Sequence, residues 1–453
     1  MAALAAEQIP EPVLQVLRRL RERGFQAYVV GGAVREMVRG HPPIGDFDVA
    51  TDARPEDVQR SFPKTVPTGI QHGTVTVLWQ GHHVEVTTFR TEGAYLDARR
   101  PSSVEFRSDV REDLARRDFT INAMAYDPLD GTLVDPFGGQ ADLQAGIIRC
   151  VGNATERFAE DGLRPLRAVR FAAVLGFALD PATEAAIPGT LPSFRKVAME
   201  RVREEFTKLL LSERPAFGLE LLHQTGLLGA FLHELESCSG QVQDDSYPGD
   251  VFQHAVAATA LAPASLEVRL SALLHDVAKP RTAQPAPGGF RFPEHDRLGE
   301  LLVAEVLQRL KYPTRVIEAV APMVREHLLD EDARWTDGAL RRFVARLGQP
   351  LLEPFFDFLE ANRAARTDGE RRRAQVRKLR ERIARLLAHR PPLSAKALAL
   401  NGNQIMRVLG VGPSPTVGEA TRFLIDQVLE DPSLNTPQRL TELLEKWARE
   451  RGV

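Results

Sequence analysis

The most chemically loaded stretch of the chain is Asp46-Phe47-Asp48. On a β-strand, residues i and i+2 point to the same face, so these carboxylates converge, and a cation between them relieves their repulsion. Hard oxygen ligands of this kind suit Mg2+. Just upstream, Val29-Val30-Gly31-Gly32-Ala33-Val34-Arg35 reads as a strand, a glycine turn and the start of a helix. Glycines let backbone N–H groups approach a phosphate, a helix N-terminus favours an anion, and Arg35 is placed to reach the same group. The spacing is neither the GxxxxGK[ST] of a P-loop nor the GxGxxG of a dinucleotide fold. Downstream, Glu85 in the strand-like HVEVTTF run supplies a third carboxylate. Three carboxylates on neighbouring strands predict a pair of Mg2+ ions. One would activate a hydroxyl nucleophile, and the other would hold a triphosphate and its leaving pyrophosphate.

In RRDFTINA, Asp118 and Asn122 stand four residues apart, the spacing that stacks two side chains on one helix face. Such a pair both accepts and donates, which matches a ribose hydroxyl, and Arg117 is placed to meet phosphate. The segments GGAVR (31–35), DFD (46–48), EVTTFR (85–90), RRDFTINAMA (116–125), DPFGG (135–139) and EDGLRPLRAVRF (160–171) occur in this order. Together they closely resemble the class II tRNA nucleotidyltransferases, the CCA-adding enzymes, with their bacterial poly(A) polymerase relatives. The resemblance implies that Gly32 and Arg35 hold the nucleotide, Asp46 and Asp48 bind Mg2+, and Arg117 contacts the triphosphate. It implies that Asp118 and Asn122 read the ribose and that Asp161, Arg164, Arg167 and Arg170 contact the nucleotide. The implied reaction adds C and A, from CTP and ATP, to the 3′ end of tRNA without a template and releases pyrophosphate.

The EDGLRPLR segment also has a physical logic. On a helix Asp161 and Arg164 are i and i+3 and could face one flat base. Cytosine and adenine both present an amine beside a ring-nitrogen acceptor, which a carboxylate and a guanidinium match. Uracil and guanine present the opposite polarity and would leave buried groups unpaired. Pro165 stands where the family usually has an aliphatic residue, and proline inside a helix kinks it. Residues 91–113 read as a long loop and resemble the flexible loop of CCA-adding and A-adding enzymes, which CC-adding enzymes lack. An enzyme adding only A, beside a separate CC-adding partner, uses the same motifs. A poly(A) polymerase would be expected to carry a longer basic C-terminal extension. From another class, the chain could be an HD phosphohydrolase with an inert head.

That last alternative rests on a second group, His254, His275-Asp276, His295 and His327. HD inside LSALLHDVAKP resembles the HD domain of metal-dependent phosphohydrolases, and the set predicts a second metal site, for Ni2+ or Mn2+. Asn362 lies near the place where such proteins close the site with Asp, so the domain is expected to act as scaffold first.

The elements that must position these groups follow from periodicity. QAYVV (26–30), FDVAT (47–51), TVTVLW (74–79) and HVEVTTF (83–89) read as strands. The N-terminal 25 residues read as an amphipathic helix, and beyond about residue 150 helical spacing dominates. The expected class is α+β. A nucleotidyltransferase head with a small mixed sheet (1–148) precedes an elongated all-α neck (149–245), an HD-like body (246–366) and a tRNA-binding tail (367–453). The tail, by resemblance, holds the tRNA elbow. No apolar run reaches membrane length, and the N-terminal pattern leads us to expect no secretory signal. With only Cys150 and Cys238, neither a disulfide framework nor a cysteine zinc site is expected. A cytoplasmic enzyme with no obligate protein partner fits best. The net charge of −3 hides a bias: 50 of the 58 cations are Arg. Residues 361–390 hold eleven cations against three anions, a local net of +8. Arg371, Arg372, Arg373, Arg377 and Lys378 in that run are the expected contacts to the RNA backbone.

Overall fold

The computed structural model describes residues 6–43, 47–92, 104–244, 246–287, 289–330 and 335–452. Asp46 and most of the expected flexible loop, residues 93–103, lie outside the described residues. The chain divides into two compact units, Met1–Glu236 and Ser237–Val453.

The first unit is built on a seven-stranded mixed sheet. Its order is Thr65–Gly69, Thr74–Trp79, His82–Thr88, Asp48–Thr51, Ala27–Val30, Ala125–Asp127, Thr132–Val134. Neighbours run antiparallel except Asp48–Thr51 beside His82–Thr88, which are parallel. The four strands read from β-branched runs are all present. The additional short strands carry weaker signals: Pro67 interrupts one, and two are three residues long. Val49, Val75, Val77, Val84 and Val86 are buried. Helix Glu11–Glu22 lays Val13, Val16, Leu17 and Leu20 into the core at helical spacing.

Helix Ala154–Glu160 is capped by Asn153 and ends in extended backbone at Asp161. The next helix, Arg164–Leu175, starts after Leu163. Pro165 therefore occupies the first turn, where no intrahelical N–H bond is lost. The kink expected from an interior proline does not arise. Helix Met199–Leu210 packs against Arg164–Leu175 and carries Arg201 and Glu205, four apart on one face.

The second unit is helical apart from a hairpin, Gln284–Ala286 with Gly289–Arg291, among its described residues. One core gathers Phe343, Phe355, Phe356 and Phe358. Another, in the tail, gathers Leu424, Leu440, Leu444 and Trp447. Among the described residues, no helix is long and apolar enough to cross a membrane.

Candidate active site and a second polar cluster

The parallel register sets Asp48 directly beside Glu85, so both carboxylates leave the same face of the sheet, and both are exposed. The glycine turn lies against them. Gly31 adopts φ +73°, and a Cβ added there would lie 3.3 Å from Arg117 Nη1 and 3.6 Å from Asp48 Oδ2. Only glycine keeps that space open and tolerates that backbone. Gly32 opens the following helix, Gly32–Val38. The result is a small cradle between a carboxylate pair and a guanidinium, suited to a cation on one side and a phosphate on the other.

Behind the cradle the expected nucleotide residues form one hydrogen-bonded chain. Arg35 donates to Asn122 Oδ1 at 2.8 Å and to Glu36 at 2.8 Å. Asn122 Nδ2 donates to Asp118 Oδ1 at 3.2 Å, and Arg167 Nε donates to Asp118 Oδ2 at 2.9 Å. Asp118 and Asn122 meet as expected, but not on an α-helical face. Residues Thr120–Asn122 form a single 3-10 turn with Asp118 outside it. Burial alone would raise the Asp118 carboxyl; Arg167 and the Asn122 amide outweigh it and hold it down to about 2. Arg117 reaches Asp113 at 3.4 Å and the Asn122 carbonyl at 3.4 Å, while its buried Nε has no partner.

Asp161 and Arg164 are not brought together as a helical i, i+3 pair, because the helix begins at Arg164. The Asp161 carboxylate takes Arg201 at 2.7 and 3.2 Å. Arg164, 8% exposed, donates at 2.9 Å to each of the Arg157 and Arg116 carbonyls, and pairs with Glu160. Two residues that sequence reasoning missed organise this helix. Besides Arg201, Glu205 is buried and accepts from Arg170 at 2.8 Å and faces Arg167 at 3.5 Å. The only signal for them was their i, i+4 spacing on an otherwise ordinary amphipathic helix.

The cationic run reads differently once folded. Helix Gly369–Ala388 packs on Leu352–Ala364, whose acidic residues the local count omitted. Arg373 and Arg377 reach Glu360, at 3.5 and 3.0 Å. Arg380 reaches Glu353, Asp357 and Glu360. Arg371 and Arg372 share Asp368. The +8 therefore overstates the available charge. Lys378 and Arg385 are exposed and, among the described residues, take part in none of these pairs.

The histidines of the second unit do converge. Two ligand groups share Asp276: one is His254, His275 and Asp276, the other Asp276, His295 and His327, all buried. His275, His295 and His327 each direct Nδ1 to a backbone carbonyl, at 2.9, 2.6 and 2.6 Å. That fixes the Nδ1–H tautomer and turns a bare Nε2 lone pair inward. His295 Nε2 and His327 Nε2 then face each other at 3.2 Å, each 3.4 Å from Asp276 Oδ1. Two lone pairs and a carboxylate oxygen so close repel unless a cation joins them. Burial lowers the His327 pKa to about 3 and pushes His254 well below its usual value, so both present neutral rings.

Three family profiles match along the chain. They are "Poly A polymerase head domain" at residues 27–149, "Probable RNA and SrmB- binding site of polymerase A" at 176–238, and "HD domain" at 251–387. The CCA-adding enzyme of Geobacillus stearothermophilus is 38% identical over 446 residues, 98% of this chain and 97% of that protein. That of Bacillus subtilis is 50% identical over 234 residues, 51% of this chain and 58% of the relative. Among solved structures, the Bacillus stearothermophilus CCA-adding enzyme in complex with CTP superimposes with a TM-score of 0.72 at 32% identity, covering 98% of each chain. A Thermotoga maritima CCA-adding enzyme complexed with tRNA shares the fold, with a TM-score of 0.62 at 20% identity. With the cradle, the arginine helix and near-complete coverage in agreement, the chain belongs to the CCA-adding enzyme family of tRNA nucleotidyltransferases.

Proposed function

We propose that the chain adds C and A, from CTP and ATP, to the 3′ end of tRNA without a nucleic-acid template. The observation that carries this reading is the Asp48–Glu85 register beside the Gly31 cradle. Asp48 and Asp46 would hold Mg2+, with Glu85 completing the carboxylate set, and the ions would activate the terminal hydroxyl and neutralise the triphosphate. The protein's own part is positioning. The cradle between Arg117 and Asp48 orients the triphosphate, and the Arg35–Asn122–Asp118–Arg167 chain supports the ribose site. Asp161 and Arg164 would read the pairing edge of C or A after releasing Arg201 and Glu160. The decisive test offers tRNA ending at the discriminator base, at C and at CC to the enzyme with CTP or ATP alone. CTP incorporation on the first two substrates supports full CCA addition. Incorporation of ATP alone, and only on CC ends, establishes A addition instead.

A second reading concerns the histidine cluster. The facing Nε2 lone pairs of His295 and His327 beside Asp276 Oδ1 favour a divalent ion there. Ni2+ and Mn2+ fit this mixed imidazole and carboxylate set. The cytoplasm is the compartment consistent with a tRNA substrate, and the exposed Lys378 is the residue of the cationic helix proposed to face RNA.

A further inference from the structure

We propose that the first unit carries a second nucleotide-binding site, outside the Gly31 cradle, in the cavity between Arg39 and Phe177. Its occupant is a single ribonucleotide, with the phosphate at Arg39 and His41 and the base against Phe177, Gln140 and Gln144. The site stands on its own residues and does not depend on the reaction assigned to the cradle.

Three segments build the cavity. Helix Gly32–Val38 starts at the cradle and carries Arg39 about 10 Å along its axis. Gly40 then takes φ +76°, and the His41 N–H donates to the Glu36 carbonyl at 2.9 Å. That reversal, which a glycine permits, folds His41 back beside Glu36. Helix Gly139–Ala145 places Gln140 and Gln144 one turn apart on one face and ends at Gly146. A Cβ added to Gly146 would lie 3.6 Å from Phe177 Cδ1, so the Phe177 ring packs on that helix end. The Ala178 N–H donates to the Gly146 carbonyl at 2.9 Å and fixes the third segment. Leu143, 8% exposed, floors the space. The cavity measures about 430 Å³, within the range of small-molecule sites.

Charge names one half of the occupant. The Glu36 carboxylate serves three basic side chains. Oε1 meets Arg35 at 2.8 Å, and Oε2 meets Arg39 at 2.7 Å and His41 at 3.6 Å. Among the described residues that line the cavity there is no carboxylate. Two guanidinium groups on one carboxylate leave a positive excess, and the Arg39 fork has donors to spare. Phosphate, an anion rich in acceptors, matches it.

Phosphate alone would leave the rest of the cavity unfilled. The opposite wall is apolar at Phe177, whose ring centroid lies 5.7 Å from Arg39 Cζ. Aromatic rings and guanidinium planes are surfaces on which nucleic-acid bases stack. The two amides complete the match. Gln140 Nε2 is turned to Asp135 at 3.3 Å, which leaves Oε1 to accept. The Gln144 amide is exposed and, among the described residues, hydrogen-bonds to nothing. Such amides satisfy the mixed donor and acceptor edge of a base. An apolar tail or a bare phosphate has no such edge.

The test is calorimetric titration of AMP into the full chain, with the catalytic site saturated by α,β-methylene-CTP and Mg2+. One equivalent of AMP is expected beyond the analogue. Its affinity is expected to fall at least about tenfold in Arg39→Gln and to be largely kept in Arg39→Lys. Phe177→Leu should weaken it about fivefold or more. Adenosine should be indifferent to Arg39→Gln, and ribose phosphate indifferent to Phe177→Leu, because each lacks the group that residue meets. Filter binding of tRNA distinguishes the two sources of the nucleotide. If it belongs to an RNA strand, Phe177→Leu weakens tRNA binding and AMP competes with tRNA. If it is free, tRNA affinity is the same in every variant and AMP binds alongside. No AMP equivalent beyond the analogue would overturn the site. So would AMP isotherms unchanged in both Arg39→Gln and Phe177→Leu. A loss in Arg39→Gln that adenosine shares in full would overturn the phosphate assignment. A thermal melt of each variant separates loss of fold from loss of ligand.

Discussion

The two polar clusters of this chain solve the burial of charge in opposite ways. Around the Gly31 cradle each of five arginines has a carboxylate: Arg35 with Glu36, Arg117 with Asp113, Arg164 with Glu160, Arg167 with Asp118 and Arg170 with Glu205. In the histidine cluster the buried cations Lys279 and Arg363 outnumber the buried carboxylate of Asp276. The first arrangement is a set of ion pairs able to exchange carboxylate for phosphate, which suits a substrate that must bind, react and leave. The second is a buried cluster in which Lys279 and Arg363 accompany the single carboxylate of Asp276.

The comparison breaks most visibly if the carboxylate face of the sheet is not where catalysis sits. Asp48→Ala is expected to reduce nucleotide incorporation by on the order of 10³ or more, with tRNA binding nearly unchanged. Single-turnover incorporation beside a filter-binding isotherm reads both, and substantial residual turnover would dismiss the metal assignment. Next in size is Glu205→Ala. Removing it leaves Arg170, 9% exposed, and Arg167 facing each other without their shared anion. Breaking a buried pair in this way costs about 3 kcal/mol. The melt of the first unit should fall by several degrees and the KM for CTP should rise. An unchanged KM would make Glu205 purely structural.

Acid titration gives a smaller and signed effect. The Asp118 carboxyl sits at about 2 in the fold against an ordinary 3.8. A depressed carboxylate contributes stability that is fully present above its unfolded pKa and is lost as pH falls through its folded one. The first unit should therefore lose about 2 kcal/mol between roughly pH 4 and pH 2. Asp118→Asn should flatten that part of the stability profile. A profile as steep as that of the unsubstituted chain would place the acid sensitivity elsewhere.

How far the sequence could be read follows the same division. The meeting of Gly31, Asp48 and Arg117 was legible because each lies in a short contiguous string, although the helical stacking expected of Asp118 and Asn122 gave way to a 3-10 turn. The helical pairing of Asp161 with Arg164 was not, because a cap at Leu163 places the helix start one residue before Pro165, and helix boundaries are set within a residue or two. Arg201 and Glu205 were invisible because their partners are about 40 residues away and no spacing rule links them. In the second unit the five residues of the histidine cluster, which the structure brings together, were legible by type. Asn362 was marked by its place in the family pattern, whereas Gln243, which accepts from Lys279 at 2.6 Å, belongs to no motif and gains meaning only from burial.

The cationic helix Gly369–Ala388 is where sequence counting and structure diverge most, and it yields the smallest but most discriminating measurement. Arg380, held by three carboxylates, and Lys378, exposed without such pairs among the described residues, are two positions apart on the same helix. If the helix touches RNA, the cation free to release a counterion is Lys378. Lys378→Ala should lower tRNA affinity about two- to fivefold and reduce the slope of log K against log salt by about 1. Arg380→Ala should leave that slope alone and cost up to about 1 kcal/mol of stability in the second unit, as partly exposed pairs do. The reverse pattern, a salt slope that responds to Arg380 and not to Lys378, would mean that RNA displaces the carboxylates of helix Leu352–Ala364. The cationic helix would then work by the same exchange of anions as the nucleotide cradle.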